Sequence, residues 1–324
     1  MTGKSLNFVT GAAGFVGHGL IQRLLSEGEA VAGFDNLRRG TMANIAAFAD
    51  HPDFSFRQLD AADKTALTEG FAEALARHKG AEVVVWHLAA NSDILAGVDD
   101  PDVDLHDTFL TTYTTVAAMR AHGLRKLAFA STSAVYGALE TVLREDSGPL
   151  FPISNYGAMK LASEAVISAA VESHFERAWI FRFPNVVGAF GTHGVIYDFA
   201  RKLRRTPQEL EVLGNGTQQK AYLLVDELVD AMRFIQREAG ERVNCFNIGP
   251  ADAGATVRFI ADEMVRVAAP KASIRYTGGD RGWVGDVPRF TYSIEKLQKL
   301  GWSPKLSSEE AIRAAIPLIW QESE

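Results

Sequence analysis

Short apolar runs recur along the first half of the chain, each followed by a longer stretch with apolar residues three and four apart. The runs Leu6–Thr10, Ala30–Phe34, Phe54–Gln58, Val83–His87, Leu127–Ala130 and Ala178–Phe183 predict buried strands. The stretches near 15–27, 63–78, 102–122 and 155–174 predict amphipathic helices, as the spacing of Leu20, Leu24 and Leu25 illustrates. Strand–helix alternation of this kind predicts an α/β fold, a doubly wound parallel sheet with helices on both faces. In such sheets ligands bind outside the carboxyl ends of the strands.

Beyond residue 184 the pattern becomes irregular. Glycines, prolines and a basic helical piece (Phe199–Arg205) precede a further strand, Val243–Ile248, and helices near Thr256–Ala268 and Ser308–Trp320. The expected division is a first domain over 1–184, joined by a returning strand near 243–248, and a smaller C-terminal lobe over 185–324. No internal repeat or low-complexity tract interrupts this plan.

Composition narrows the class. The 324 residues are 47% hydrophobic and 23% charged, as in an ordinary soluble globular protein. A formal net charge of −7 argues against a nucleic-acid partner. The single cysteine, Cys245, excludes an internal disulfide and any multi-cysteine metal site, and it reads as a buried strand thiol. No apolar run reaches the roughly 18 residues of a membrane helix. The N-terminal apolar stretch is too short and glycine-broken for an export signal, so a cytoplasmic location without membrane association is expected.

That same stretch, VTGAAGFVG, carries Gly11, Gly14 and Gly17 between the first strand and the first helix. Glycines there permit a tight turn and let backbone N–H groups approach a pyrophosphate at the positive end of the helix. Asp35 ends the second strand, where a carboxylate can accept hydrogen bonds from an adenosine ribose. An acid at this point favours NAD over NADP, whereas Arg38 and Arg39 argue the other way. Asp60, closing the third strand, can meet the adenine or cap the helix that begins near Asp63.

In NYGAMKLASE, Tyr156 and Lys160 stand four apart and project from one helical face. An ammonium beside a phenol favours the phenolate, so the expectation is a tyrosine pKa lowered from about 10 and a residue able to act as general base. Upstream, ASTSAVYG crowds hydroxyls at the end of a strand. His87, His106 and His193 share no metal-ligand spacing, and no metal is expected.

The segments TGAAGFVG, FDNL, WHLAA, STSAVYG and YGAMK together resemble the extended short-chain dehydrogenase/reductase family, in its NAD-dependent nucleotide-sugar epimerase/dehydratase branch. FRFPNVVG, GTHGVIYDF, LGNGTQQKAYLLVDELVDAM and RGWVGDVP with KLGWSP extend the likeness to about residue 305. The resemblance implies a Rossmann-like NAD-binding domain and a substrate-binding lobe. It implies Thr132, Tyr156 and Lys160 as catalytic residues. It assigns Gly11, Gly14, Phe15, Val16, Gly17, Asp35, Asn36, Asp60, Ala61, Leu88, Ala89 and Ala90, with Tyr156 and Lys160, to NAD. It assigns Ser133, Asn185, Lys220 and Arg281 to a nucleotide-diphosphate sugar, and it implies a homodimer.

The chain also departs from the branch's pattern. Asn155 stands where proline often precedes the tyrosine, Pro184 where an aromatic is usual, Thr108 where a buried asparagine is common, and Lys220 where arginine is general. Dehydratases and decarboxylases of the branch carry acids just before VYG. Here Ser133 and Ala134 occupy those positions, and neither can donate or accept a proton as a carboxyl does. The expectation is therefore a UDP-glucose 4-epimerase-like enzyme working through a transient 4-keto sugar. A nucleotide-keto-sugar reductase, or a non-catalytic NAD-sensing protein, stands as the alternative.

Overall fold

The computed structural model describes residues 5–139, 141–279 and 292–323. Its strands are β1 (Leu6–Thr10), β2 (Ala30–Asp35), β3 (Phe54–Gln58), β4 (Val83–His87), β5 (Lys126–Ala130), β6 (Arg177–Arg182), β7 (Asn185–Val187), β8 (Glu209–Val212), β9 (Gln219–Lys220), β10 (Tyr222–Leu224), β11 (Val243–Asn247), β12 (Ala255–Thr256) and β13 (Ser273–Tyr276). Contacts divide the described chain into two compact units. The first takes residues up to Val135, Pro152–Arg182 and Met232–Phe246; the second takes Tyr136–Phe151, Phe183–Ala231 and Asn247 onward. The 136–151 excursion and the 232–246 return interrupt a simple division at 184.

The first unit is built on a seven-stranded sheet ordered β11-β6-β5-β4-β1-β2-β3. The neighbours from β3 through β1 to β6 all pair in parallel. Every residue of β1, β2 and β4 is buried, which requires cover on both faces. The helices are α1 (Phe15–Ser26), α2 (Lys64–Arg77), α3 (Ile94–Asp99), α4 (Pro101–Asp104), α5 (Thr111–Ala121) and α6 (Asn155–Ser173). Side chains alternate along the strands. Leu6, Phe8, Val85 and Phe129 join one core with Leu67, Phe71, Met119 and Ile167 from α2, α5 and α6. At the amino end of the sheet, the buried Arg233 guanidinium binds Glu27 and Glu29, and Glu29 also accepts from Asn7.

The helix expected over 102–122 is not uniform. A π-helical turn, Leu105–Leu110, separates α4 from α5. Thr111, Thr112, Thr114 and Thr115 turn their hydroxyls back onto carbonyls three or four residues earlier, a pattern that loosens a helix. The helix begun near residue 63 is capped by Asp63 itself, which accepts from the Thr65 and Ala66 amides. Asp60 instead accepts from the Ala62 amide at 2.8 Å.

The second unit holds the parallel pairs β7–β10 and β8–β13 and the antiparallel pair β9–β12. Its helices are α7 (Val195–Arg205), the first half of α8 (Val225–Glu238), α9 (Val257–Ala268), α10 (Glu295–Leu300) and α11 (Ser308–Glu322). Ile196, Phe199, Leu203, Ile260, Met264, Ile312 and Ile316 form its core. Asn247 is the polar hub: it accepts from the Tyr136 hydroxyl at 2.8 Å and donates to the carbonyls of Leu143 and Ser293. Among the described residues, no helix is long and apolar enough to cross a membrane. Cys245 is half-buried against the sheet core, less enclosed than expected.

Candidate active site

The chain order places a topological switch between β1 and β4. From β1 the chain moves through β2 to β3, then returns to β1's other side. Thr10 is in register with Phe34 and with His87, so Gly11, Asp35 and Leu88 follow at one common edge. This is where open α/β sheets bind ligands. The loop there is built tightly. Gly11 has φ +74°, and a Cβ on it would lie 2.8 Å from the Ala89 amide nitrogen. A Cβ on Gly17 would lie 2.2 Å from the Gly11 carbonyl oxygen. Only glycine lets the loop, the β4 turn and α1 come so close.

The loop also fits the anion of a dinucleotide. Gly14 begins α1 with no side-chain cap, leaving the amides of its first turn directed outward. Asp35 accepts from the Ala13 amide at 3.0 Å and the Leu37 amide at 2.8 Å. Burial raises its pKa, and the two amides oppose that rise. Each oxygen keeps acceptor capacity for a ribose hydroxyl. Phe15, Val16, Asn36, Asp60, Leu88, Ala89 and Ala90 surround this edge with partial exposure, while Ala61 is buried. The two arginines that argued for NADP are engaged elsewhere. Arg38 binds Asp107 and approaches Asp60, and Arg39 pairs with Asp93.

β5 delivers the hydroxyl cluster to the same edge. Beyond it, Ser133–Tyr136 form a single 3-10 turn, and the Ala134 amide donates to the Thr132 hydroxyl at 3.1 Å. Helix α6 starts at a Ser154 cap and brings Tyr156 and Lys160 against that turn. The Thr132 hydroxyl bonds the Tyr156 phenol and favours its ionised form. Lys160 is buried, donates to the Ala130 carbonyl at 2.7 Å, and lies 4.7 Å from the Phe129 ring centroid. Asn155 donates to the Gly97 carbonyl at 2.7 Å, a bond that proline could not make.

One electrostatic expectation is corrected. The Tyr156 pKa lies above its ordinary value, because burial of the hydroxyl and the charge of Asp104 outweigh Thr132. Lys160 is pushed down to about 7 by burial, with the carboxylates of Glu164 and Asp104 opposing the fall. At neutral pH its ammonium is therefore only partly populated, which weakens its pull on the phenol.

The structure adds residues that periodicity did not single out. Glu164 lies one turn beyond Lys160 and is clasped by Arg182 at 2.6 and 3.0 Å; both side chains are buried. Ser131 donates its hydroxyl to Glu164. The spacing of Tyr156, Lys160 and Glu164 was the available signal. His87 is held neutral, its pKa lowered to about 3 by burial, between Thr10 at 2.7 Å and Thr112 at 3.0 Å. Among the described residues, no group of three or more His, Cys, Asp or Glu could hold a metal.

In the second unit, Asn185 and Lys220 come together. Asn185 donates to the carbonyl of Ala221, the residue after Lys220, at 3.3 Å. Both are half-buried, and Tyr136 is committed to Asn247. Arg281 lies outside the described residues.

Sheet order and a glycine loop at the switch point define a dinucleotide-binding α/β enzyme with a tyrosine–lysine pair. The chain belongs to the NAD dependent epimerase/dehydratase family, whose model matches residues 7–249. A UDP-glucose 4-epimerase of Mycolicibacterium smegmatis is 28% identical over 324 residues, covering 98% of this chain and 99% of the relative. That of Corynebacterium glutamicum is 30% identical over 318 residues, covering 92% and 90%. A UDP-galactose 4-epimerase crystal structure matches with TM-score 0.84 and 31% identity over 98% of this chain and 99% of that one. The Thermus thermophilus UDP-glucose 4-epimerase in complex with NAD matches with TM-score 0.82 and 29% identity over 97% and 98%.

Proposed function

We propose that this chain is an NAD-dependent nucleotide-sugar 4-epimerase acting on UDP-hexoses. The observation that carries the reading is one meeting at a single sheet edge. The glycine loop follows β1, and Thr132, bonded to Tyr156, follows β5 at the same edge of one sheet; Ser133 and Ala134 supply no carboxyl for dehydration or decarboxylation. NAD, when bound, accepts hydride from the sugar carbon and later returns it.

The loop amides and Asp35 bind and orient the dinucleotide. Tyr156, as phenolate, takes the proton of the sugar 4-hydroxyl: that O–H bond breaks and a phenol O–H forms. The bonding pair of the C4–H bond leaves as hydride, and the carbonyl forms. Thr132 holds the phenol oxygen in line, and the Lys160 ammonium stabilises the phenolate. Presentation of the opposite face of the keto sugar, with the phenol proton returned to oxygen, completes inversion without net oxidation.

Asn185 and Lys220 are assigned to the nucleotide diphosphate, with Ser133 near the sugar. A homodimer belongs to the same reading. Leu105 and Tyr113 leave apolar surface exposed on the 101–121 segment, which suits such pairing. A cytoplasmic location belongs to the same reading and accords with a sequence whose single cysteine, Cys245, precludes an internal disulfide.

The test is direct. Purified protein with NAD is incubated with UDP-glucose, UDP-galactose and their N-acetyl forms, and the sugars are separated chromatographically. Interconversion of one pair is expected; conversion of none overturns the proposal. The reductase reading needs exchangeable NADPH, and the engagement of Arg38 and Arg39 by carboxylates disfavours it.

A further inference from the structure

Asp104 closes α4 as a fully buried carboxylate with no role in the chemistry above. Its Oδ1 accepts from the Asn91 amide at 3.0 Å and from the Thr108 hydroxyl at 3.2 Å. Its Oδ2 is enclosed and has no hydrogen-bond partner among the described residues. That oxygen fills the space left by a missing side chain, for a Cβ on Gly97 would stand 1.7 Å from it. The carbonyl of Gly97 is held by Asn155, the residue before Tyr156. Helices α3 and α4, which carry Gly97 and Asp104, pack on α6, which carries Tyr156 and Lys160.

A buried carboxylate without an ionic partner of its own is costly, and burial raises the Asp104 pKa while the bonds from Asn91 and Thr108 oppose that rise. Its placement matters through charge. The Asp104 carboxylate favours the protonated form of Lys160 and opposes ionisation of Tyr156. The other charged groups nearby are largely spoken for. Asp107, one turn on, is bound by Arg38 and His106, and Asp93 by Arg39. Glu164 faces Lys160 from its own helix but shares its charge with Arg182, and His87 is neutral. Asp104 is thus the carboxylate near the pair without a cationic partner of its own among the described contacts.

We propose that Asp104 is a positioning residue, the buried counter-charge that raises the fraction of Lys160 present as ammonium while Tyr156 exchanges its proton with substrate. The proposal deepens the epimerase reading and rests on it for the identity of the reaction alone. Asn91, Thr108 and Gly97 are the parts that hold the carboxylate in place.

The experiment follows Lys160 directly. The whole chain is labelled with ε-13C lysine, and the Lys160 resonance is assigned as the one lost in Lys160→Met. Its titration midpoint is compared between wild type and Asp104→Asn, which preserves shape and an acceptor for Asn91. The midpoint should fall by about one pH unit in the variant, the scale of a nearby opposite charge. An unchanged midpoint in folded Asp104→Asn overturns the proposal. Should that variant not fold, Asp104→Ser is read in the same way.

Wild-type turnover separates the two readings. An active wild type with an unmoved midpoint removes the role of Asp104 and leaves the epimerase standing. A shifted midpoint in a protein that converts no nucleotide sugar keeps the counter-charge and removes the epimerase. In an active enzyme, the alkaline limb of kcat should fall with the midpoint, with KM little changed.

Discussion

The Lys160 ammonium donates to the carbonyl of Ala130, the last residue of β5, at 2.7 Å. This bond ties the helix that carries Tyr156 to the strand that delivers Thr132. It also spends one of the three donors of a buried amine on backbone, leaving two others.

Lys160→Met should change stability as well as activity. The folded-state pKa of Lys160, about 7, lies below its ordinary value. Between about pH 7 and 10 the unfolded chain therefore binds more protons, and wild-type stability rises with pH over that window. Urea midpoints from pH 7 to 9 should climb in wild type, with the climb reduced in Lys160→Met. Equal slopes would refute a depressed Lys160.

Tyr156→Phe keeps the ring and removes the hydroxyl. Turnover should fall by roughly 10²–10⁴-fold, the usual worth of a positioned acid–base group. NAD affinity, measured by calorimetry, should change much less. A fully active variant would remove Tyr156 from the proton transfer.

Gly17→Ala forces a methyl to within 2.2 Å of the Gly11 carbonyl oxygen. Backbone must yield, at a cost of about 1–3 kcal/mol or more. Thermal melting should show the loss, and NAD binding should weaken with it under the proposed assignment of this loop to the cofactor. A variant with wild-type melting and wild-type NAD affinity would contradict the contact.

Arg182→Met leaves Glu164 buried without its guanidinium partner, at about 3–5 kcal/mol. The double variant Glu164→Gln/Arg182→Met should recover much of that loss, because no uncompensated charge remains. Chemical denaturation of the three proteins decides the matter. A double variant no more stable than Arg182→Met would mean that the pair is not coupled.

Asp35→Ala removes acceptors for two backbone amides, those of Ala13 and Leu37. A stability loss of about 1–3 kcal/mol is expected from the unsatisfied donors. Calorimetry should show weaker NAD binding, with NADP losing less because the carboxylate no longer repels its phosphate. Unchanged NAD affinity would separate Asp35 from the ribose.

Much of this site was legible in the sequence, for a physical reason. Buried parallel strands read as unbroken apolar runs, and the residues that follow them stand at one edge. Gly11, Asp35, Leu88 and Thr132 are therefore placed at that edge by the sequence pattern alone. Pairings distant in sequence are not. Nothing in periodicity says that Asp104 fills the niche of Gly97, that Asn155 holds the Gly97 carbonyl, or that Arg182 clasps Glu164. The pKa of Tyr156 lies on the opposite side of its ordinary value from the one the spacing predicts, for a related reason. Spacing shows that a lysine is near, but the burial that raises the phenol and discharges the amine depends on the whole surrounding fold.

The returning segment has a consequence for biosynthesis. Strand β11 and Arg233 lie far along the chain, yet they belong to the sheet and to the acidic pair Glu27 and Glu29. At roughly 5–20 residues per second, the ribosome exposes β6 several seconds before its edge partner exists. During that interval the nascent chain carries an open strand edge, and Glu27 and Glu29 lack the Arg233 guanidinium that joins them. Slower translation across the intervening stretch would lengthen the window in which β6 can pair with a stranger, so yield in cells should depend on chaperone supply at that stage.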